Sequence, residues 1–357
     1  MTGECVSGKM KIVYFGALSA GGTCKMRCDA LRNMGHEVVE VDNTYIPNGI
    51  IGLAVRALKK LNQSVDPIRA NERLMGSIVC HKPNLVWIDK GLCITPHTLR
   101  KLRGIHPNAQ IVHYSPDDMT GGRHNQSRQY LNGIRHYDLH VTTKSFNVED
   151  LYGLGARAVM FLNNAYCAET HHPVEISPEE KLTLGGNVGF IGWFEESRAN
   201  SLLFIANHGV SVRIWGEGWT GWAKRYSHPN MVIEKRPIWG AQYARAICSF
   251  DINLGFLRKL NRDLQTTRSV EIPACGKFML AERTSEHLKL FTEGVEAEFF
   301  SNNEELLEKC NYYLSHPEER EKIAASARER CLRSGYSYGR HVGAVLDQLR
   351  MMRSHAN

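Results

Sequence analysis

DINLGFLRKLNRDLQTTRSVEIPACGKFMLAERT, residues 251–284, holds a strand, a basic loop, a short helix and a second strand in succession. The apolar segment from Phe250 to Leu254 runs into a loop carrying Arg258, Lys259, Arg262 and Arg268. A helical segment, Ser269 to Ala274, ends at Gly276, and Lys277 to Ala281 reads as the next strand. This is a βαβ-like unit. On such sheets ligands sit beyond the carboxyl ends of the strands, where helix N-termini point. Guanidinium and ammonium groups beside a helix start suit a phosphate or diphosphate. Glu271 falls in the first turn of the helix. There the dipole favours an acid, which can equally accept hydrogen bonds from hydroxyl groups. The same residues also read as a solvated basic loop and an ordinary capping acid.

The rest of the C-terminal half repeats the alternation. Pro173 to Gly186 is the expected domain junction. From Asn187 a new first strand, VGFIG, ends at Gly192, which lets backbone approach a ligand. Arg198 opens or flanks the helix carrying Leu202, Leu203 and Ile205, and Glu195 and Glu196 are its alternative partners. The strand Val210 to Trp215 leads to Gly216, Glu217, Gly218 and Trp219, a loop open to packing on a ligand's ring; packing anchor is the commoner role for Trp219 and Trp222. Further on, Ser301 or Asn303 is expected to cap a helix over Glu304 to Leu314, and Pro317 to start the next. A last helix, about Tyr338 to Arg353, carries Val342, Val345, Leu346, Leu349 and Met352 as its buried stripe.

The N-terminal half has the same character. Lys11 to Phe15 is a nearly continuous apolar strand, as a covered parallel sheet requires. A glycine-containing loop follows; Thr23 is the expected cap of the next helix, and Glu37 to Val41 is the second strand. No GxGxxG fingerprint stands there and no Walker A motif, which argues against a bound dinucleotide. A helical region covers roughly Ile51 to Leu61 and Ala70 to Cys80. Asp89, Lys90 and Gly91 stand at the carboxyl end of the strand Leu85 to Ile88. Asp117 and Asp118 follow the strand Gln110 to Tyr114; Asp117 is a candidate base or acceptor-binding group, or a helix cap. Gly121, Gly122, Arg123 and His124 form a polar loop, with His124 an alternative base. His171 and His172 are adjacent, so they do not share a helix face and read as linker rather than metal site.

At 357 residues the chain is long enough for two domains. It has no apolar run of about 18 residues, and its first residues carry no signal-peptide pattern. Ten scattered cysteines without zinc-site spacing point to a reducing cytoplasm. A net charge of +7 fits an anionic substrate, an anionic membrane surface or nucleic acid, and chooses none of them. With no recognition-helix, zinc-finger or RNA-binding pattern, nucleic acid ranks last.

RSVEIPACGKFMLAERT (residues 268–284) followed by LFTEGVEAEFFSNNEELLEKCNYYLSHPEEREKIAASARER (residues 290–330) resembles the C-terminal region of spore-maturation CgeB-type glycosyltransferases. More distantly it is similar to the Glu-Ala-x-Ala-x-Gly segment of retaining two-domain nucleotide-sugar glycosyltransferases. The likeness covers roughly residues 188 to 340 well and the N-terminal half loosely. It implies a GT-B-like α/β fold of two facing Rossmann-like domains with parallel sheets. These would be residues 1–175 on the acceptor side, residues 176–337 for the nucleotide sugar, and a terminal crossover helix, 338–357, returning to the first domain. VGFIG then resembles the opening strand of the nucleotide-sugar domain. Glu271 corresponds to the glutamate that holds the donor ribose, and Gly276 to the small turn residue after it. Arg268 matches the recurring arginine of the CgeB-like group, expected at the diphosphate, and Arg198 stands where a basic residue meets donor phosphate. Asp263 makes a D-x7-E where the broader family shows E-x7-E, so its catalytic role stays open.

The expected activity is transfer of a sugar from a nucleoside-diphosphate sugar, held by Gly192, Arg198, Gly216, Arg258, Lys259, Arg268 and Glu271. The hydroxyl acceptor would lie near Asp89, Lys90 and Asp117, and Asp117, Asp263 and Arg268 are the catalytic candidates. The nucleotide sugar is a co-substrate, and no tightly bound cofactor is expected. No DxD motif ends a strand, so cationic side chains would stabilise the leaving group in place of a metal. Retention is implied by the Glu271 correspondence, with inversion open. Two alternatives stand beside it. One is an epimerase-like nucleotide-sugar enzyme; the other is a catalytically silent binding protein for a phosphorylated ligand. A glycan, lipid-linked, small-molecule or protein acceptor all remain open, and a lipid acceptor would bring peripheral membrane contact.

Overall fold

The computed structural model describes residues 8–44, 58, 64–121 and 125–354. The expected helix over residues 51–61 falls largely outside these residues. So do Gly122, Arg123 and the alternative base His124. Two compact units are present. The first takes in the described residues of Met1–Asn163, Leu260–Arg262 and Gly339–Asn357; the second takes in Asn164–Lys259 and Asp263–Tyr338. The Pro173 to Gly186 stretch therefore lies inside the second unit.

In the first unit strands and helices alternate: β1 Lys11–Gly16, α1 Thr23–Asn33, β2 Glu37–Asp42, α2 Ala70–His81, β3 Leu85–Asp89, α3 Pro96–Ile105 and β4 Gln110–Ser115. Then come α4 Arg128–Gly133, β5 Leu139–Thr142, α5 Asn147–Gly153 and β6 Val159–Phe161. The sheet order is β2-β1-β3-β4-β5-β6, with every pairing parallel. Val13 of β1 lies between Val39 of β2 and Val86 of β3. Such strands are apolar throughout because helices cover both faces, and Ile12 to Phe15 and Leu85 to Ile88 are all fully buried.

The second unit runs α6 Pro178–Leu184, β7 Gly186–Ile191, α7 Glu196–Asn207, β8 Val212–Trp215, α8 Thr220–Ala223, β9 Met231–Ile233, α9 Gly240–Ser249 and β10 Phe250–Gly255. It continues with α10 Arg268–Ala274, β11 Met279–Glu282, α11 Ser285–Leu290, β12 Glu298–Phe300, α12 Asn303–Ser315 and α13 Pro317–Arg333. Its order, β12-β11-β10-β7-β8-β9, is again wholly parallel. Counted within the unit this is the doubly wound 3-2-1-4-5-6 arrangement, whose order reverses between β7 and β10. The chain leaves those two strands in opposite directions, so a crevice opens at their carboxyl ends. The last helix, α14 Tyr338–Ser354, puts its tail in the first unit. There Val342, Val345, Leu346 and Leu349 are buried, and Gln110 Nε2 donates to the Leu349 carbonyl at 2.9 Å. Met352, expected in that stripe, is only partly covered.

Two caps differ from expectation. Gly22, not Thr23, is the N-cap of α1, and no side chain bonds there. Asn302, not Ser301 or Asn303, caps α12, accepting from the Glu305 N–H at 2.8 Å. Each cap is the last residue with extended backbone, one position away from the residue expected, and cap identity follows from that geometry. No helix among the described residues is long and apolar enough to cross a membrane.

Burial keeps three histidines of the first unit neutral. His113 is held well below its ordinary value by burial and by His140 beside it. His140 is pushed down to about 4 by burial; His341 goes to about 4 by burial and by the Arg27 charge. In the unfolded chain each titrates near 6.5. As pH falls below that value the unfolded chain takes up protons first. The stabilisation is therefore complete above about pH 6.5 and is lost progressively toward about pH 4, by roughly 1.4 kcal/mol per pH unit per histidine. Urea midpoints measured at pH 7, 6 and 5 are expected to fall steadily. A flat profile over that range would contradict neutral burial.

Candidate functional site

After β7 the chain turns at Gly192, and the backbone there is crowded. Gly216, at φ +149°, is packed so closely that a Cβ on it would lie 2.0 Å from the Gly192 carbonyl oxygen. Trp219 Nε1 donates to that same carbonyl at 2.9 Å, and the Gly192 N–H donates to the Trp215 carbonyl at 2.8 Å. Trp219 is fully buried against Phe190 and Phe194, so of its two readings the packing anchor is the one realised. The glycines at 192 and 216 serve this crossing of two loops. Next to Gly192 in the chain Trp193 stands 53% exposed, and at the N-cap of α9 Trp239 stands 62% exposed; neither indole is among the residues expected at the site. Their only signal in the sequence is position, one just after a strand-ending glycine and one at the start of α9.

Arg198 is the third residue of α7 and its side chain is buried. Its Nε donates to the Leu257 carbonyl at 3.2 Å and its Nη1 to the Trp193 carbonyl at 2.9 Å. It thereby ties the loop after β10 to the loop after β7. Its Nη2 is buried with no hydrogen-bond partner. Arg268, the first residue of α10, reaches the Phe256 carbonyl only at 3.5 Å, and its buried Nε has no partner. Both guanidinium carbons lie near the face of one ring, Phe190, at 5.6 and 5.7 Å from its centroid. Burial, and then the Arg268 charge, push the Arg198 guanidinium down to about 10. Two neighbouring cations with unsatisfied N–H groups are costly to bury. An anion in the β7/β10 crevice would supply both the missing acceptors and the missing charge.

The other cations of the basic loop are engaged differently. Lys259 Nζ pairs with Glu282 Oε2 at 2.6 Å. Arg258 Nε lies 3.3 Å from Glu195 Oε1 without hydrogen-bond alignment. Arg262, within the first unit, donates to Asp118 at 2.6 and 3.0 Å. Burial opposes the Asp118 charge, yet the bonds from Arg262, Asn147 and the Gly121 and Thr120 N–H groups hold its pKa far below the ordinary carboxylate value. Asp117 forms an ion pair with Lys90 at the carboxyl ends of β4 and β3. Asp89 is buried and committed: Arg27 Nε and Nη2 donate to its Oδ2 at 2.8 and 2.7 Å, and the Tyr14 hydroxyl donates at 2.9 Å. Asp263 Oδ2 accepts from the Arg258 N–H at 3.3 Å and so braces the loop from residue 258 to residue 263.

Helix α10 is short for a local reason. Pro273 lacks an N–H, and Gly276, at φ +66°, closes the helix with its N–H on the Pro273 carbonyl at 2.8 Å. Within it Glu271 is buried, and its Oε2 accepts from the Tyr243 hydroxyl at 2.6 Å. His171 Nε2 lies 3.9 Å from Glu271 Oε1. The adjacency of His171 and His172 suggests a linker, yet the fold brings His171 against Tyr243 and near Glu271, positions that nothing in the local sequence links. Among the described residues one cluster has metal-ligand proximity, Cys28, Asp29 and Glu40. Lys25 and Arg32 already pair with its carboxylates.

A family model described as glycosyl transferase-like matches residues 198–347, a span that includes Arg198, Arg268 and Glu271. No match is found among curated proteins. Several solved structures share the fold. HepE of Anabaena, in complex with UDP and glucose, superposes with a TM-score of 0.64 at 13% identity, over 95% of this chain and 100% of its own. A glycosyltransferase from Rickettsia africae gives 0.64 at 15% identity over 96% and 98%. Sucrose-phosphate synthase of Thermosynechococcus elongatus gives 0.63 at 11% identity over 96% and 100%. At these identities the likeness shows the fold: two parallel six-stranded sheets with interleaved helices, as in GT-B glycosyltransferases.

Proposed function

We propose that this chain, glycosyl transferase-like over residues 198–347, moves a sugar from a nucleoside-diphosphate sugar to a hydroxyl acceptor. The observation that carries this reading is the pair of unsatisfied guanidinium groups, Arg198 Nη2 and Arg268 Nε, in the β7/β10 crevice. They suit a diphosphate, whose charge rises as the glycosidic bond to it breaks. Stabilising that charge with fixed cations, with no divalent ion, is the chemistry we assign to them. Arg258 and Lys259 lie further out and would meet the donor by exchanging their present acidic partners. Glu271 accepts the donor ribose, and Gly192 and Gly216 shape the wall of the crevice. Asp263 sets the loop that carries the cations.

With Asp89 committed to Arg27, the acceptor reading rests on Lys90 and Asp117. Asp117 is the candidate base: on taking the acceptor proton it would give up its ion pair with Lys90. The CgeB-type subgroup, a reducing cytoplasmic location and retention of configuration belong to the same proposal. HepE was solved with UDP and glucose, which makes a uridine donor the first to test.

The test is calorimetric titration with UDP, GDP, ADP, CDP and dTDP, followed by turnover of the matching nucleotide sugars against acceptor panels. One diphosphate is expected to bind selectively. Its release from the sugar should require an acceptor and persist in chelator, and the product anomer read by NMR reports retention or inversion. Donor turnover without acceptor would favour the epimerase-like enzyme. Binding without turnover would favour the silent protein. Absence of any nucleotide binding would sink the site assignment.

A further inference from the structure

Glu271, His171 and Tyr243 form a buried cluster within the second unit, and its hydrogen bonding is incomplete in a specific way. Tyr243 Oη donates to Glu271 Oε2 at 2.6 Å. Burial, followed by the Glu271 charge, raises the Tyr243 phenol well above its ordinary value, so it remains the donor. This bond takes one carboxylate oxygen and fixes the rotamer. On the other side, His171 Nδ1 accepts from the Cys167 N–H at 3.0 Å. A ring nitrogen that accepts carries no proton, so the neutral imidazole must carry its proton on Nε2. Burial lowers the His171 pKa in spite of the Glu271 charge, which keeps it neutral. The ring packs edge-on against Tyr243 at 5.6 Å and is 2% exposed. Its Nε2–H nevertheless has no hydrogen-bond partner. It stands 3.9 Å from Glu271 Oε1, too far for a direct bond.

A buried donor and a carboxylate oxygen at that separation match one hydroxyl group. An oxygen about 2.8 Å from each can accept from Nε2–H while donating its own proton to Oε1. We propose that His171 is a specificity-determining residue that works with Glu271 to bind one ribose hydroxyl of the nucleoside-diphosphate donor, and that Tyr243 is the positioning residue that leaves Oε1 free for it. This rests on the donor assignment of the preceding subsection. A lone hydroxyl acceptor on Glu271 would hold the sugar in a broad arc, whereas the second contact from His171 fixes the hydroxyl in two directions. A site built around a hydroxyl leaves polar groups unpaired when that hydroxyl is missing, and so rejects the deoxy analogue.

The test compares UDP with 2′,3′-dideoxy-UDP by calorimetry, with the ADP and GDP pairs in parallel, on wild type and on His171→Phe, His171→Gln and Tyr243→Phe. Wild type is expected to prefer the ribonucleotide by about tenfold or more. His171→Phe keeps a ring against Tyr243 but removes the donor; the preference should fall at least about fivefold, through loss of ribonucleotide affinity with dideoxynucleotide affinity unchanged. His171→Gln, which places an amide N–H near the former Nε2, should restore part of it. Tyr243→Phe should weaken the preference by freeing the Glu271 rotamer. Unchanged dideoxynucleotide binding also shows that a variant is folded. Should His171→Phe not fold, the ¹⁵N shifts of wild-type His171 with and without UDP give the readout. Its Nε2–H signal should move on UDP and not on dideoxy-UDP. Diphosphate binding with an unchanged ribose preference in the His171 variants, or an Nε2–H signal indifferent to the ribose, would overturn this inference and leave the donor site standing. Failure of every nucleotide to bind wild type would overturn both.

Discussion

Replacing Arg268 with alanine is expected to weaken nucleoside-diphosphate binding by about 10- to 150-fold while leaving the unliganded protein at least as stable. The loss follows from removing one or two charge-assisted hydrogen bonds, worth about 1.5–3 kcal/mol. The stability side follows from what Arg268 does without ligand. Its Nε is buried and unsatisfied, its one carbonyl contact is 3.5 Å long, and its charge depresses the pKa of Arg198. Removing it relieves a like-charge contact and costs no good hydrogen bond. At the proposed donor site, binding and stability would thus pull in opposite directions at this position, as they do where an electrostatic site is held ready for a ligand. Calorimetry of the diphosphate together with urea unfolding of the unliganded protein reads both. Arg268→Lys should fall between wild type and alanine, since a single ammonium keeps the charge but not the fork of donors. Unchanged affinity with a clear loss of stability would make Arg268 a structural residue and remove it from the site.

Asp89→Ala should have the largest effect on stability, about 3–5 kcal/mol. Arg27 is 2% exposed, and two of its nitrogens bond Asp89 Oδ2. The Tyr14 hydroxyl bonds the same oxygen. Without the carboxylate the guanidinium stays buried against Tyr114, whose ring centroid lies 4.3 Å away, and a neutral side chain offsets little of the lost charge. Tyr14 also stacks on Trp87, and Trp87 on Tyr114, so the break lies at the centre of three adjacent strands of the first sheet. The double replacement Arg27→Met with Asp89→Leu should recover most of the loss, because it removes both desolvation costs together. Urea midpoints of the three variants decide this. A single variant within about 1 kcal/mol of wild type would mean that water reaches Arg27 and that its burial is not dry.

Much of the fold was legible because parallel sheets write a local signature. Runs such as KIVYF and VGFIG are apolar at successive positions, which only strands covered on both faces require. Glycine and proline marked the turns, as at Gly276 and Pro317. Cap residues were legible only to within a position, because the choice among Thr23 and Gly22, or Ser301, Asn302 and Asn303, depends on one backbone dihedral.

The candidate site was legible as a composition but not in its contacts. Arg258, Lys259, Arg262 and Arg268 look alike as a basic loop, and the chemistry of a basic loop is a property of composition. Which cation keeps unsatisfied N–H groups depends on the acids that distant segments bring up. Glu282 takes Lys259, Asp118 takes Arg262 and Glu195 stands by Arg258, while Arg268 finds no carboxylate among its hydrogen-bond partners. His171 shows the same limit more sharply. Its partners are 72 and 100 positions away, at Tyr243 and Glu271, and no periodicity spans such distances. Short-range sterics and burial period are written along the chain, so the sequence by itself determined the alternation of strands and helices and the presence of a cation-rich turn. Hydrogen bonding and charge pairing act between atoms a few ångströms apart regardless of chain distance. The tertiary structure alone therefore decided that Arg198 joins Arg268 in the crevice, that Asp89 is committed to Arg27, and that a neutral histidine faces the free oxygen of Glu271.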